Sequence, residues 1–241
     1  MENPLHTFEL HTMIPLSLLG VDISINKAVI MMFVVVGVST TILIKAGSSR
    51  SLVPTKLQSV AEILVEFIRG IIQDTMGTDG QKFFPLLSSL FIFILFSNLL
   101  GLIPGSFTIT SQIIVTGVFA LMVYGLSLVV GFQIHGIKFL GILVPPGTPG
   151  WLLPLMVPIE IISQLARPIS LAVRLFANMT AGHVILGVLF GLTISGGLLF
   201  GWIPFSFTIA LYGLEVGIAF IQAYIFTILT CVYMGDAIHP H

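Results

Sequence analysis

The residues best suited to chemistry lie on one face of each of two long apolar runs near the C-terminus. In the first run, the polar residues are separated by four, three, seven and four positions: Glu160, Gln164, Arg167, Arg174 and Asn178. In the second run, the separations are four, three and seven: Thr208, Tyr212, Glu215 and Gln222. At about 100° per residue, each set falls within a wedge of roughly 80° on a helix. Two such faces predict a path for a proton or another ion between two helices.

Arg174 needs the strongest explanation, because it lies in the largely apolar stretch SLAVRLFANMTAGH, residues 170–183. A charge near the centre of a bilayer costs from about 3 to more than 10 kcal/mol. Arginine keeps its proton in proteins, so it must meet a carboxylate or water. The internal candidate is Glu215, and a carboxylate on another subunit is the alternative. Two hypotheses therefore stand open: a gate in an ion path, and a fixed pair of Arg174 with Glu215.

Relative depth follows from pairing the two runs as an antiparallel hairpin about the Gly196–Gly201 turn. This register sets three pairs level: Arg174 with Gln222, His183 with Glu215 on the outer side, and Glu160 with Asp236 on the inner side. An arginine flanked in depth by two acidic clusters predicts a central gate with half of an ion path on each side.

The other polar residues each have a functional and a structural interpretation. His183 lies on the opposite face of its helix from the arginine. It suits proton relay, because histidine titrates near neutral pH, but a packing bond to Glu215 fits equally. Asn178 and Gln222 can orient the arginine or bond across the two helices. Asn98, near the outer end of its span, can line an access path, although packing or capping explains it at least as well.

The composition requires a membrane. Of the 241 residues, 56% are hydrophobic and 8% are charged. A soluble domain of this size cannot bury so much apolar surface, so the bilayer must be the solvent for most of the chain. The net charge of −1 argues against nucleic acid as a partner, and the single cysteine, Cys231, excludes an intrachain disulfide. No metal-ligand or nucleophile spacing is visible, so no cofactor or metal is expected.

Hydropathy and periodicity predict an all-α polytopic fold in a single integral membrane domain, residues 1–241. Its predicted parts are a polar segment (1–27), a first span (28–44), an amphipathic surface helix (55–76), a helical hairpin (83–132) and a long tilted hairpin (151–235). The surface helix is predicted from apolar residues at three- and four-residue steps between Leu57 and Ile71, opposite a charged face. The fold therefore has five crossings.

Basic residues set the orientation of these crossings. The turn at 104–112 carries none, whereas the connection between the first two spans carries Lys45, Arg50, Lys56, Arg69 and Lys82. By the positive-inside rule, that connection and the C-terminus face the inner compartment. The N-terminus and the turn at 104–112 then face outward.

The last two runs are too long for upright spans. Residues 151–194 would form a helix of roughly 66 Å, against a hydrocarbon core of about 30 Å. This helix is therefore either broken, with Pro154, Pro158 and Pro168 as candidate kinks, or steeply tilted. Two oblique helices side by side suggest a surface that wraps a partner within the membrane. Arg167, near the inner surface, is expected to have a structural role.

These stretches resemble a known family. PISLAVRLFANMTAGH and LEVGIAFIQAYIFTILTCVYMGDAI look like subunit a of F-type ATP synthases, and FSNLLGLIPGSFTITSQ and the amphipathic helix are similar to that family as well. The resemblance covers nearly the whole chain. It implies the membrane stator of the Fo motor, in which protons pass through two half-channels to and from carboxylates of a rotating c-ring.

The resemblance also implies a role for individual residues. Arg174 would face the c-ring carboxylate, hold it ionised, and block direct leakage between the half-channels. Gln222 matches the family's glutamine beside the arginine, and Asn178 matches its motif asparagine. Glu160 matches an acid of the half-channel on the side of the catalytic head.

One exchange of residues bears on the outer half-channel. Many bacterial members of the family have an acid at the position of His183 and a histidine at the position of Glu215. This chain has the two types exchanged. Because the hairpin register already sets the two positions level, the exchange favours a single functional pair in the outer half-channel.

The implied partners are the c-ring, the b subunits of the peripheral stalk, the F1 head indirectly, and membrane lipid. The implied location is a bacterial inner membrane, with the mitochondrial inner membrane as the alternative. No nucleotide site is visible, so any ATP chemistry belongs to partner subunits. A stand-alone proton-coupled secondary transporter is the competing class, but the internal repeats expected of one are not visible. A structural scaffold would leave Arg174 unexplained.

Overall fold

Helices dominate the described part of the chain, which in the computed structural model comprises residues 12–15, 17–18, 21–22, 24–48, 54–103, 106–144 and 149–239. The α-helices are α1 (Lys27–Ser48), α2 (Lys56–Met76), α3 (Phe84–Gly101), α4 (Ile113–His135), α5 (Leu153–Ser195), α6 (Gly197–Phe200) and α7 (Trp202–Ile238). Short 3₁₀ helices cover Thr78–Phe83, Ile109–Ser111, Gly136–Leu143 and Gly150–Leu152. Parts of the sequence analysis lie outside the described residues: positions 1–11, 16, 19, 20 and 23 of the polar segment, Arg50, and positions 104 and 105 of the outward turn.

Two short strand pairings precede α1, where the sequence predicted only a polar segment. Strand β1 (Thr12–Ile14) pairs antiparallel with β4 (Ile25–Asn26), and β2 (Ser17–Leu18) pairs antiparallel with β3 (Val21–Asp22). With two or three residues per strand, these pairings leave the fold all-α in character.

Five helical segments of the described chain are long and apolar enough to cross a membrane, by length and composition: Lys27–Ser48, Thr78–Gly101, Ile113–Leu143, Gly150–Ser195 and Trp202–Ile238. These are the five predicted crossings, so the prediction of an all-α polytopic membrane fold is confirmed. The predicted amphipathic helix is α2. It begins at an N-cap where the Gln58 backbone N–H donates to the Thr55 hydroxyl at 3.3 Å.

The long hairpin consists of two unbroken helices. Helix α5 runs for 43 residues with Pro158 and Pro168 inside it, and α7 runs for 37 residues. At 1.5 Å per residue, α5 is about 65 Å long, which is roughly twice the thickness of the hydrocarbon core. The predicted break is therefore absent within these bounds, and the oblique course of α5 through the membrane stays a prediction.

The turn of that hairpin depends on glycine. Gly197 has a φ of 55°, in the left-handed region that only glycine adopts readily. A Cβ at Gly201 would lie 2.5 Å from the Thr193 carbonyl oxygen and 2.5 Å from that of Gly197. The chain therefore reverses at 196–201, the position from which the hairpin register was counted.

The chain divides into two compact units. The first comprises Met1–Ser48, Ile92–Ile113 and Leu175–Ala223, and the second comprises Ser49–Phe91, Ile114–Arg174 and Tyr224–His241. The first unit has an unusually polar interior, which includes Asn98, Thr108, Thr110, Glu215 and Gln222 among its buried residues.

The second unit has a mainly apolar core. Ile72, Leu87 and Phe226 are almost completely buried there. The Phe67 ring packs against Phe91 and Tyr224, with centroids 6.0 Å and 5.7 Å away. The His135 ring bonds the Ile238 carbonyl in the last turn of α7 at 3.0 Å, which fixes the end of that helix within the unit.

Candidate functional site

His183, an ionisable residue of the first unit, has polar contacts at both ring nitrogens. Its Nδ1 lies 3.0 Å from the Met179 carbonyl oxygen, one turn earlier on α5. Its Nε2 lies 2.8 Å from the Gly101 carbonyl oxygen at the end of α3, and 2.8 Å from the Thr108 hydroxyl. The ring therefore links α5 to α3 and to the segment that follows α3.

Glu215 lies beside His183 in the same unit. Its side chain packs on the Gly182 backbone so closely that a Cβ at Gly182 would lie 2.8 Å from the Glu215 carboxyl carbon. The carboxylate interacts electrostatically with His183. Glu215 is 8% exposed, and its Oε2 has no hydrogen-bond partner among the described residues. The level pairing of His183 with Glu215 that the hairpin register predicted is therefore what the structure shows.

Asn98 is fully buried and bonded at both ends of its amide. Its Nδ2 donates to the Ala219 carbonyl of α7 at 3.3 Å, and its Oδ1 accepts from the Thr110 hydroxyl at 2.8 Å. The residue thus ties α3 to α7 and to the 3₁₀ turn at Ile109–Ser111. These bonds are those expected of a packing role, and a place for Asn98 in a proton path stays a prediction.

The remaining site residues of the hairpin differ in exposure. Gln222 is buried in the first unit, whereas Asn178 and Arg174 are exposed on α5. Within the described ranges, the Arg174 guanidinium forms neither an ion pair nor a hydrogen bond.

The inner-side candidates lie in the second unit, on α5 and α7. Arg167 Nη1 donates to Asp236 Oδ2 at 3.0 Å, and the guanidinium carbon lies 5.7 Å from the centre of the Tyr233 ring. Gln164 Nε2 donates to Glu160 Oε1 at 3.0 Å. A cavity of about 180 Å³ has polar walls of Tyr124, Gln164, Arg167 and Asp236 among apolar side chains.

The direct partner of Asp236 is Arg167, seven residues after Glu160 on α5. The long arginine side chain reaches the aspartate and neutralises it. The predicted placement of Glu160 level with Asp236 stays a prediction. Glu160 accepts from Gln164. The ion pair agrees with the structural role predicted for Arg167.

Comparison with known proteins assigns the family. The profile of the family described as ATP synthase A chain matches residues 28–235. The chain belongs to that family. It is 48% identical to ATP synthase subunit a of Allorhizobium ampelinum, 49% identical to that of Rhizobium meliloti, and 50% identical to that of Rhizobium leguminosarum bv. trifolii. Each match covers 99% of this chain and 98% of the relative. The resemblance noted in the sequence is therefore confirmed.

Membership of the ATP synthase A chain family, together with five membrane-capable helices, makes this chain a membrane protein.

The structure also adds site residues that sequence reasoning missed. Thr108 contacts His183, and Thr110 contacts Asn98. The available signal was the hydroxyl-rich run SFTITS after α3, where polar side chains are expensive to bury in a membrane without partners.

Proposed function

We propose that this chain is the stator subunit of the Fo motor of a rotary ATP synthase, with two offset proton half-channels that meet at Arg174. The exposed and unpaired guanidinium of Arg174 carries the proposal. An arginine within a membrane needs a carboxylate or water, and no carboxylate among the described residues lies within ion-pair distance of Arg174. A carboxylate on a neighbouring, moving subunit supplies the partner.

The electrostatics of such a meeting explain the coupling. The fixed positive charge of Arg174 favours the ionised form of an arriving carboxylate, which therefore releases its proton before it passes. The same charge repels a proton that would cross directly from one half-channel to the other. Proton flux is then coupled to movement of the partner subunit.

His183 and Glu215 support an outer half-channel in the first unit. Both ionise, they lie level on α5 and α7, and the Glu215 carboxylate is buried against a glycine. Asn98 and Gln222 extend the same polar interior. Buried groups that can take up and release protons are what a proton path through a membrane requires.

An inner half-channel is supported by the polar groups of the second unit. Glu160 and Gln164 are bonded to each other on α5, and Tyr124, Arg167 and Asp236 line the 180 Å³ cavity with Gln164. The cavity has room for water among polar groups. We assign the proton-carrying role of the inner half-channel to Glu160, which bonds Gln164 of the cavity wall. We assign a structural role to the Arg167–Asp236 pair.

The surface of α5 suits a ring of partner helices. Near Arg174, the exposed residues Ala177 and Ala181 have small side chains, which allow close approach of another helix. The opposite flank exposes Ile162 and Ile169, which suit lipid. We therefore propose that the arginine side of α5 faces a c-ring and that the other side faces lipid. The further partners that we propose are the b subunits of the peripheral stalk and, indirectly, the F1 head. The proposed location is a bacterial inner membrane.

Purification from the native membrane tests this assignment against a stand-alone transporter. A tagged copy of the chain should bring down a c-ring, stalk subunits and ATPase activity in mild detergent. A chain recovered without these partners, yet able to move protons alone in liposomes, would contradict the stator proposal and support the transporter.

A further inference from the structure

Three groups converge on the Gly101 carbonyl oxygen at the end of α3. The Ser106 hydroxyl lies 3.0 Å away, the Thr108 hydroxyl lies 3.2 Å away, and His183 Nε2 lies 2.8 Å away. A carbonyl oxygen has two lone pairs and accepts two good hydrogen bonds. Ser106 has a second acceptor, the Leu100 carbonyl at 2.6 Å, and Thr108 has a second neighbour, His183 Nε2. The hydroxyl hydrogens therefore have a choice of direction.

The protonation state of His183 decides the direction for Thr108. The protonated ring has two N–H groups, which match the Met179 and Gly101 carbonyls. The Thr108 hydroxyl is then free to donate to the Gly101 carbonyl. The neutral ring has one N–H. With Nδ1–H kept on Met179, the bare Nε2 faces the Gly101 oxygen, lone pair against lone pair. Of Gly101 and Thr108, only the Thr108 hydroxyl has a hydrogen to give.

We infer that Thr108 is a positioning residue for proton transfer at His183, a rotating hydroxyl that lets the ring bind and release a proton without moving. When Nε2–H loses its proton to a water molecule of the path, the Thr108 O–H turns from the Gly101 carbonyl to Nε2. When a proton returns, the O–H turns back. Thr108 keeps its own hydrogen throughout. The inference rests on the proposed function, since it assumes that His183 exchanges protons.

The surroundings hold Thr108 in a fixed place. The residue is 3% exposed, and a Cβ at Gly101 would lie 2.8 Å from its methyl carbon and 2.9 Å from its hydroxyl oxygen. The Ser111 hydroxyl donates to the Thr108 carbonyl at 2.7 Å. Since the backbone and the methyl group are held in place, the hydroxyl hydrogen of Thr108 can change its direction by rotation about the Cβ–Oγ bond.

The charged neighbour of this site is Glu215 on α7. Helix α3 has no ionisable side chain between Phe84 and Gly101, and the segment 106–112 has none either. A change in the pH dependence of His183 therefore has two sources to separate, Glu215 and the Thr108 hydroxyl. Repeating the measurement in a Glu215→Gln background separates them.

The test compares Thr108→Val, Thr108→Ser and Ser106→Ala in assembled ATP synthase in liposomes, with ATP-driven proton pumping followed against pH. Valine keeps the shape and removes the hydroxyl, so the neutral ring loses its donor. The acid limb of the profile should then move to higher pH, because the neutral ring has lost the Thr108 hydrogen bond that favours it. Thr108→Ser keeps the hydroxyl, so the acid limb of its profile should lie where it does in the wild type. Ser106→Ala removes a hydroxyl from the same carbonyl without touching His183, and should leave the limb in place.

Other results overturn the inference. An unchanged limb in Thr108→Val contradicts it, and so does equal loss at every pH, which a structural role explains. If the valine variant fails to assemble, Thr108→Ala gives the same comparison in a smaller side chain. Arg174→Ala, measured in the same way, separates this failure from failure of the stator proposal. If the Arg174→Ala complex still pumps, the stator proposal is contradicted. If the Arg174→Ala complex does not pump and the acid limb of Thr108→Val is unmoved, only the role of Thr108 is contradicted.

Discussion

The Glu215 carboxylate lies against the backbone of Gly182, one residue before His183 on α5. A methyl group at Gly182 would overlap the carboxylate, because its Cβ would lie 2.8 Å from the carboxyl carbon. The absence of a side chain at Gly182 therefore leaves the space in which the Glu215 carboxylate lies beside His183. This contact joins the two helices of the hairpin at the level where we propose the outer half-channel.

Gly182→Ala is expected to reduce ATP-driven proton pumping by roughly ten- to hundred-fold, because misplacing a reacting group by about 1 Å has effects of this size. Gly187→Ala is the matched control on the same helix, since a Cβ there meets nothing within 4 Å. Alanine in place of glycine otherwise favours a helix by about 1 kcal/mol. Equal pumping by the two variants would show that the position of Glu215 is unimportant.

The Arg167–Asp236 pair is expected to stabilise the second unit. Both side chains are about one-third exposed, so the coupling should be about 1 kcal/mol rather than the larger value of a buried pair. Thermal unfolding of Arg167→Gln, Asp236→Asn and the double variant measures it as a double-mutant cycle. The double variant should also pump better than either single variant. Additive effects on stability would contradict the coupling. Loss of pumping that only Asp236→Asn causes would give Asp236 a role in the proton path instead.

Asn98→Ala is expected to destabilise the first unit by about 1–3 kcal/mol, because it leaves the Thr110 hydroxyl without its acceptor in a buried site. Thr110→Val removes the other partner and should have a similar effect, whereas Thr110→Ser keeps the bond and should be close to wild type. Thermal unfolding of the purified complex measures the changes. Wild-type stability of Asn98→Ala combined with a severe loss of pumping would instead place Asn98 in the proton path.

The sequence predicted the features that depend on local pattern. The five crossings follow from hydropathy alone, and α2 follows from its three- and four-residue apolar steps. The level pairing of His183 with Glu215 was also predictable, because an antiparallel hairpin with a short glycine turn has one natural register. These features need only chain length, periodicity and the position of one turn.

The contacts that the sequence did not predict join distant elements through side chains. Thr108 reaches His183 and Thr110 reaches Asn98 from the segment between α3 and α4, which contains one short 3₁₀ turn and whose course no periodicity specifies. Asp236 pairs with Arg167, a contact that depends on the length and charge of the arginine side chain and that the hairpin register alone does not specify. Strands β1 to β4 are too short to give an alternating pattern.

We propose that Arg174 separates two half-channels and meets a carboxylate outside this chain. Arg174→Ala is the direct test, in assembled complexes in liposomes, with ATP-driven proton pumping and passive proton leak measured on the same preparation. Arg69→Ala is the control for loss of an arginine, since Arg69 lies on the amphipathic helix α2 with its guanidinium over the Phe84 ring.

The Arg174→Ala complex should assemble, its pumping should be abolished and its passive leak should rise, whereas the Arg69→Ala complex should pump normally. Pumping near the wild-type level by the assembled Arg174→Ala complex would contradict a gating role for Arg174.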